Sequence, residues 1–346
     1  MKILIYDQLF VKGHMHPNTH YTKMLSSIYD TTVVSTKGFF EELSEYADVI
    51  EVDTPYTVPE IKASRLKQVE FTRLLTRQIE LRKFDVILFF SYDIEAFFLF
   101  RKFFSENIRI VLQEHNNVDK LDSGIIHRFI YGRFCNSVKH IVYENYMKEA
   151  LVNIYDVDDT NVYVLPRARF SYEKCETAKS YSAIGLSGSN SDQYIEELIN
   201  TVNEGGEKYR SLNIILKAHK KFRVNCDAIE TITNRVSDEE YQELFSSTRI
   251  VLDPLPNTFK YRMSAVLFEA LSSRKIVIGS DARIIQYFSS KYPHICFSAN
   301  SPEEMLQLIN QVSKTETEAE RLEFNQFDDD YSDEKTMSVF KSIIEA

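Results

Sequence analysis

Cysteine is scarce. The four in the chain, Cys135, Cys175, Cys226 and Cys296, lie far apart with no C-x-x-C pair. That excludes a zinc knuckle and gives no disulfide framework, the usage of a reducing compartment. A basic excess is missing too. With 41 Lys and Arg against 51 Asp and Glu, the formal charge is −10, which excludes a surface built to displace counterions along nucleic acid and makes any phosphate site local. No apolar run is long enough to span a bilayer: Val86–Phe104 is broken by Asp93, Glu95, Arg101 and Lys102, short of the ~20 residues required. The opening run Met1–Tyr6 stops at Asp7 and is too short for a signal peptide. A cytoplasmic location is expected.

What the chain does have is bulk and alternation. Its 346 residues, 44% hydrophobic, suffice for two cores, because single cores stop growing near ~250–300 residues. Short β-rich runs alternate with helical patterns almost from end to end, the signature of parallel sheets covered by helices. In the first half the strands are predicted at Lys2–Tyr6, Thr32–Ser35, Val49–Val52, Asp85–Phe90, Arg109–Gln113, His140–Tyr143 and Val162–Leu165. The helices between them include Thr19–Ile28, Pro59–Arg82, Ile94–Phe104 and Gly124–Ser137. After Pro166 a polar stretch without periodicity interrupts the pattern, and the alternation restarts at Ala183. The organisation expected is α/β, two Rossmann-like doubly wound domains: residues 1–166, a linker over 167–180, a second domain over 181–330, and a closing helix over 331–346 that can pack back on the first. The acidic run Asp328–Asp330 reads as a solvated turn. Two such domains direct attention to the residues just after each strand, where ligands of this architecture bind.

The most informative segment runs from Ile250 to Asp281 as strand, loop, helix, strand. Lys260, Arg262 and Ser264 fall just before or within the first turn of its helix, where unpaired N–H groups and two cations make a diphosphate site. The segment resembles the donor-binding region of GT-B glycosyltransferases close to glycosyltransferase family 4, with its E-x7-E element, then an Ala-Leu-x-x-Gly-Lys-Pro-Val-type strand entry and Ser-Asp. Glu269 matches the second glutamate; Ala270–Leu271, Lys275 and Val277 match the strand entry, and Ser280–Asp281 the Ser-Asp. Ser237 to Phe245 and the proline-ended strand Ile250–Pro254 are similar as well. The resemblance covers residues 180–345, and the first half by architecture.

It implies a GT-B fold, a nucleoside diphosphate sugar as donor, a saccharide or lipid-linked acceptor, no metal, and Glu269 on the donor ribose. Two departures stand out. Eight residues before Glu269 the first glutamate is replaced by Tyr261, and the usual Arg and Lys after the second domain's first strand give way to Ser187-Gly-Ser-Asn-Ser191. Phosphate neutralisation then falls to Lys217, Lys260 and Arg262. Gly188 and Ser189 form either a phosphate-cradling turn or an ordinary one, since neither G-x-G-x-x-G nor a P-loop lysine accompanies them.

On the acceptor side, Gln8 to His20 reads as a long loop after the first strand. Its His14, His16 and His20 invite zinc, but Pro17 interrupts them and no Cys or carboxylate completes a set; no metal site is assigned. By resemblance Gly13, His14 and His16 become sugar contacts. The strand Arg109–Gln113 runs into Glu114-His115-Asn116-Asn117, a polar cluster at a strand end. Family 4 enzymes often place a histidine there, which makes His115 the expected contact to the transferred sugar, with Asn116 beside it. Asp93 reads either as an acceptor contact or as a helix N-cap. The aromatics and cations of Phe97–Phe104 read either as a buried helix or as a peripheral contact with the inner face of a membrane.

The expected catalysis is electrostatic, with Arg262, Lys260 and the helix end stabilising the departing diphosphate. Retention of configuration is what the resemblance implies; inversion would need a base, for which His14, His16 or His20 are the candidates. A non-catalytic GT-B-like partner subunit is the alternative, kept open by the missing first glutamate, and a sugar-nucleotide epimerase of the same architecture is a third.

Overall fold

The computed structural model describes residues 1–7, 12–36, 41–52, 65–104, 107–172, 180–225, 227–234, 236–312 and 315–345. Gln8–Val11, Cys175, Cys226, residues 173–179 of the linker and the first residues of the expected Pro59–Arg82 helix lie outside them. The chain divides into two compact units, Met1–Ala168 with Tyr331–Ala346, and Arg169–Asp330.

The first unit runs β1 (Lys2–Tyr6), α1 (Lys12–Ser26), β2 (Asp30–Thr36), β3 (Asp48–Val52), α2 (Arg65–Gln78), β4 (Val86–Phe89), α3 (Ile94–Phe100) and β5 (Arg109–Gln113). It continues with α4 (Asn117–Ser123), α5 (Ile125–Tyr131), β6 (Lys139–Val142), α6 (Asn145–Tyr155) and β7 (Val162–Val164). The strands pair parallel in the order β3-β2-β1-β4-β5-β6-β7. Its central strands are continuous apolar runs: Ile3–Tyr6 and Val86–Phe89 are buried throughout, as strands covered on both faces must be.

The second unit runs β8 (Ala183–Gly185), α7 (Asp192–Gly205), β9 (Ile214–Lys217), β10 (Ile229–Ile232), α8 (Asp238–Ser246), β11 (Ile250–Asp253) and α9 (Ala265–Ser272). Then come β12 (Ile276–Ser280), α10 (Arg283–Lys291), β13 (Cys296–Ala299), α11 (Pro302–Gln311) and α12 (Glu318–Asp330). Its parallel sheet has the order β10-β9-β8-β11-β12-β13. α7 shows why such segments fold as they do. Ser191 caps it by accepting from Tyr194 N, and Ile195, Leu198, Ile199 and Val202 bury one stripe. Gly206 at φ 49° ends it, a conformation that costs glycine least. The last helix, α13 (Asp333–Glu345), belongs to the first unit, where Phe340, Ile343 and Ile344 join the core of Ile3, Ile5 and Tyr21.

Three expectations are corrected. The stretch read as a loop through Gly13, His14 and His16 is helical from Lys12, with Pro17 inside the helix. Its core-facing positions Asn18, Tyr21, Thr22 and Leu25 are buried at helical spacing, but half of them are polar, which hides the period. Pro17 forfeits the bond it would make to Gly13 one turn earlier, and its ring crowds that carbonyl. The single helix expected over Gly124–Ser137 is instead α5 plus a short 3-10 turn at Cys135–Ser137, and α4 precedes it. Asp328–Asp330 is the last turn of α12, with Asp330 accepting from the Tyr292 hydroxyl at 2.7 Å and Asp328 from Arg274 at 3.1 Å. Buried Glu320, Phe324 and Phe327, spaced four and three apart, drive that helix.

Candidate functional site

In each sheet the strand order reverses once, and the crevice at the carboxyl ends of the two strands flanking that reversal is where ligands bind such sheets. In the second unit those strands are β8 and β11. The turn after β8 is tied across the crevice. Asn190 Nδ2 donates to Gly185 O and to Lys217 O, both at 2.9 Å, and Ser191 N donates to Pro254 O at 2.7 Å. The structure therefore brings Gly188, Ser189 and Lys217 together at the mouth of β8, β9 and β11. Gly188 has open space where a Cβ would stand. Ser189 N donates to Ser187 Oγ at 3.1 Å, and Lys217 Nζ donates to Asn234 O at 2.5 Å.

β11 ends in Asp253, which is fully buried. Ser264 donates to its Oδ2 at 2.6 Å while accepting from Leu267 N at 3.2 Å as the cap of α9. Among the described residues the buried Oδ1 has no hydrogen-bond partner. Burial pushes the Asp253 carboxyl up to about 6, against the lowering effect of the Ser264 bond. Ser264, expected as a donor contact, thus anchors a carboxylate and a helix start. Sequence reasoning missed Asp253, although a lone acid closing the apolar run Ile250-Val-Leu was the available signal.

Lys260 and Arg262 lie in the loop between β11 and α9; Lys260 is exposed and the Arg262 guanidinium sits 4.2 Å from the Phe259 ring centroid. Tyr261, standing where the resemblance expects a glutamate, is buried, and its hydroxyl accepts from Arg283 at 2.9 Å. Arg283 opens α10 and also lies over the Tyr261 ring at 4.8 Å. It is a third cation near this loop that sequence reasoning missed, although it stands two residues past the matched Ser280–Asp281. Glu269, on α9, accepts on Oε2 from the Tyr241 hydroxyl of α8 at 3.0 Å. The Tyr172 hydroxyl bonds the same carboxylate, and Tyr172, Tyr241 and Phe245 pack ring on ring. Burial first, then the Glu269 charge, holds the Tyr241 hydroxyl well above the usual tyrosine range.

In the first unit the reversal lies between β1 and β4. There Asp7, buried just past β1, accepts from Asn18 Nδ2 at 2.6 Å and from the Ser91 hydroxyl. At the end of β5 alternate residues point to opposite faces of the sheet. His115 is buried; Gln113 Nε2 donates to its Nε2 at 2.7 Å and to the Tyr143 hydroxyl, which places the imidazole proton on Nδ1. Glu114 turns the other way into the core. Its Oε1 takes Tyr92 at 2.6 Å, Tyr131 at 3.0 Å and His140 Nδ1 at 2.8 Å. His140 Nε2 donates to Cys135 O at 2.8 Å, and the Tyr131 hydroxyl lies 3.1 Å from its Nδ1. This buried network, and Arg167 over the Tyr143 ring at 5.6 Å, were not anticipated. Asn116 is exposed beside His115, and His16 is exposed on α1. Asp93 is the N-cap of α3, accepting from Ala96 N at 3.0 Å, with Lys120 3.7 Å away. Gly13 and His14 belong to the first turn of α1. Among the described residues no group of His, Cys, Asp and Glu could hold a metal ion.

No protein-family model matches the chain, and no curated protein matches it in sequence. Solved structures do match over its whole length. The Anabaena HepE structure in complex with UDP and glucose aligns with a TM-score of 0.70 at 11% identity, covering 100% of both chains. Sucrose-phosphate synthase from Thermosynechococcus elongatus aligns with a TM-score of 0.70 at 12% identity, covering 100% of this chain and 98% of its own. UDP-GlcNAc 2-epimerase from Neisseria meningitidis, bound to UDP-GlcNAc, aligns with a TM-score of 0.59 at 12% identity over 100% of both. Identities this low speak for architecture alone, and the two parallel sheets of this chain agree with it: the chain has the GT-B fold.

Proposed function

We propose that the chain is a glycosyltransferase that takes its sugar from a nucleoside diphosphate sugar bound at the β8/β11 crevice of the second unit. What supports this reading is the Ser187–Ser191 turn after β8, tied to Pro254 past β11, with the Ser264-capped start of α9 next along the chain, Glu269 on that helix, and Lys260 and Arg262 in the loop before it. HepE with UDP and with UDP-glucose supports a nucleotide-sugar donor for this fold. In this reading Glu269, oriented by Tyr241 and Tyr172, binds the ribose. Gly188, Ser189 and Lys217 approach the diphosphate, and Arg262 and Lys260 stabilise the charge that builds on it as the glycosidic bond breaks. His115, fixed by Gln113, contacts the transferred sugar; Asn116, Asp93 and the Gly13–His16 turn of α1 belong to the acceptor side.

The acceptor is a saccharide or a lipid-linked acceptor, of the kind used in bacterial surface polysaccharide or glycoconjugate synthesis. The configuration is retained, without a metal. The alternative, a non-catalytic partner subunit, is favoured by one observation: Tyr261 fills the expected glutamate position and is tied to Arg283. Calorimetric titration with UDP, ADP and GDP, then a donor-hydrolysis assay on the purified chain, decides. Nucleotide binding with sugar release supports the transferase; binding without any turnover on a panel of acceptors supports the partner; no binding removes the site.

A further inference from the structure

The surface of the first unit around α3 and α5 carries an apolar face that neither the fold nor the proposed reaction uses. On α5, Ile125, Ile126 and Phe129 are 83%, 68% and 64% exposed; on α3 and the turn after it, Leu99 and Phe103 are each 56% exposed. In each segment these residues recur one helical turn apart, so each group shares one face. The two segments pack together, and the Arg101 guanidinium donates to Arg133 O, joining the turn after α3 to the turn after α5.

The charges stacked on the rings of this face are cations, and the nearest carboxylate ahead of α5, Asp122, lies 4.0 Å from Arg128. Arg101 lies 4.5 Å over the Phe98 ring, Lys102 5.6 Å over Phe103, and Arg133 4.7 Å over Phe129. The single carboxylate within residues 94–104 and 124–133, Glu95, is mostly buried and paired to His127 at 3.0 Å. In a chain of net charge −10 this is a local basic patch whose cations ride on aromatic rings at the rim of an apolar face. Side chains so placed can sink their apolar parts and keep the charge at a polar boundary.

We propose that this face docks on the surface of an anionic lipid bilayer, with Ile125, Ile126, Phe129, Leu99 and Phe103 entering the interface and Arg101, Lys102 and Arg133 meeting the lipid phosphates. Charge complementarity selects this occupant. A second copy seated on the same face by two-fold symmetry would bring like cations together, whereas an anionic bilayer attracts each of them. The inference rests on this surface and is independent of the donor site.

The test is flotation of the full chain with vesicles of phosphatidylcholine, with and without phosphatidylglycerol. The parent is expected to float only with the anionic vesicles and to be released as salt rises. Ile126→Asp/Phe129→Asp is expected to lose on the order of tenfold or more in partitioning, with its thermal melt checked first. Because the chain contains no tryptophan, Phe129→Trp places a single fluorophore in the face without removing its aromatic ring. Its emission is expected to shift to the blue on anionic vesicles, whereas Tyr46→Trp, beside the edge strand β3, stays unchanged. Failure of the parent to float, equal flotation of the double variant, or an unshifted Phe129→Trp spectrum overturns the proposal. So does a dimer in sedimentation velocity that the double variant dissociates while neither protein binds vesicles.

Discussion

Asp253 is a carboxyl group that the fold holds more readily with its proton than without it. Its carboxyl titrates near 6 in the folded chain and near ~3.9 in an unfolded one. Between those values the native state keeps a proton that the unfolded state has released, so stability falls as pH rises from about 4 to about 6, by about 3 kcal/mol, and stays lowered above that. Asp253→Asn preserves an acceptor for Ser264 and removes the charge. Urea denaturation of the second unit should show the variant more stable than the parent at pH 7.5 and level with it near pH 4; parallel curves would relieve Asp253 of this role. Glu269 behaves differently, since the Tyr241 hydroxyl already engages it. On the proposed reading, Glu269→Gln keeps that bond and loses the charge-assisted bond to ribose, weakening nucleotide binding by about 1.5–3 kcal/mol, whereas Tyr241→Phe, which only frees the carboxylate to move, costs about 1 kcal/mol. Equal losses, read by calorimetry, would mean that Glu269 does not touch the nucleotide.

Among the elements, β8 and α9 carry the most constraint for their length. A Cβ on Gly185 would stand 2.8 Å from Leu216 Cδ2 and 3.1 Å from Leu252 O, pressed between β9 and β11, so Gly185→Ala should cost about 1–3 kcal/mol. Gly188→Ala, three residues on in open space, should melt with the parent and report only on ligand binding. Ser264→Ala removes a cap worth ~1 kcal/mol and its hydrogen bond to the buried Asp253 carboxylate, worth about 1–3 kcal/mol. Its loss should shrink in an Asp253→Asn background, because the two residues act as a pair. These elements were also the most legible in the sequence. β1 and β5 are apolar runs bounded by charge, and α8 and α9 begin at Ser237 and Ser264, whose side chains cap them. The first half of α1 and the whole of α12 were not legible, because their buried positions include the polar Asn18 and Glu320. The candidate site divides the same way: Glu269 and Ser264 stand in a recognisable run, but Tyr241 and Arg283 reach their partners from other helices, and no local pattern announces such pairs.

At the scale of the molecule, the first unit is built from both ends of the chain. Deleting Asp333–Ala346 strips Phe340, Ile343 and Ile344 from its core, about 5–9 kcal/mol at ~1.5–3 kcal/mol per buried side chain, which is comparable to the whole stability of a domain. Hydrogen exchange on the truncated chain should show β1 and β4 losing protection while β11 and β12 keep theirs; protection retained in β1 would mean that α13 is dispensable. The second unit, by contrast, is a single continuous stretch, Arg169–Asp330. On the ribosome the order of completion is therefore the reverse of the order of synthesis. Once β7 has emerged, about 170 further residues must be made before α13 begins to emerge, roughly 8–34 s at ~5–20 residues per second. Throughout that interval the apolar surface of Tyr21 and its neighbours waits for Phe340, and the half of the protein that is translated first is the half that finishes last.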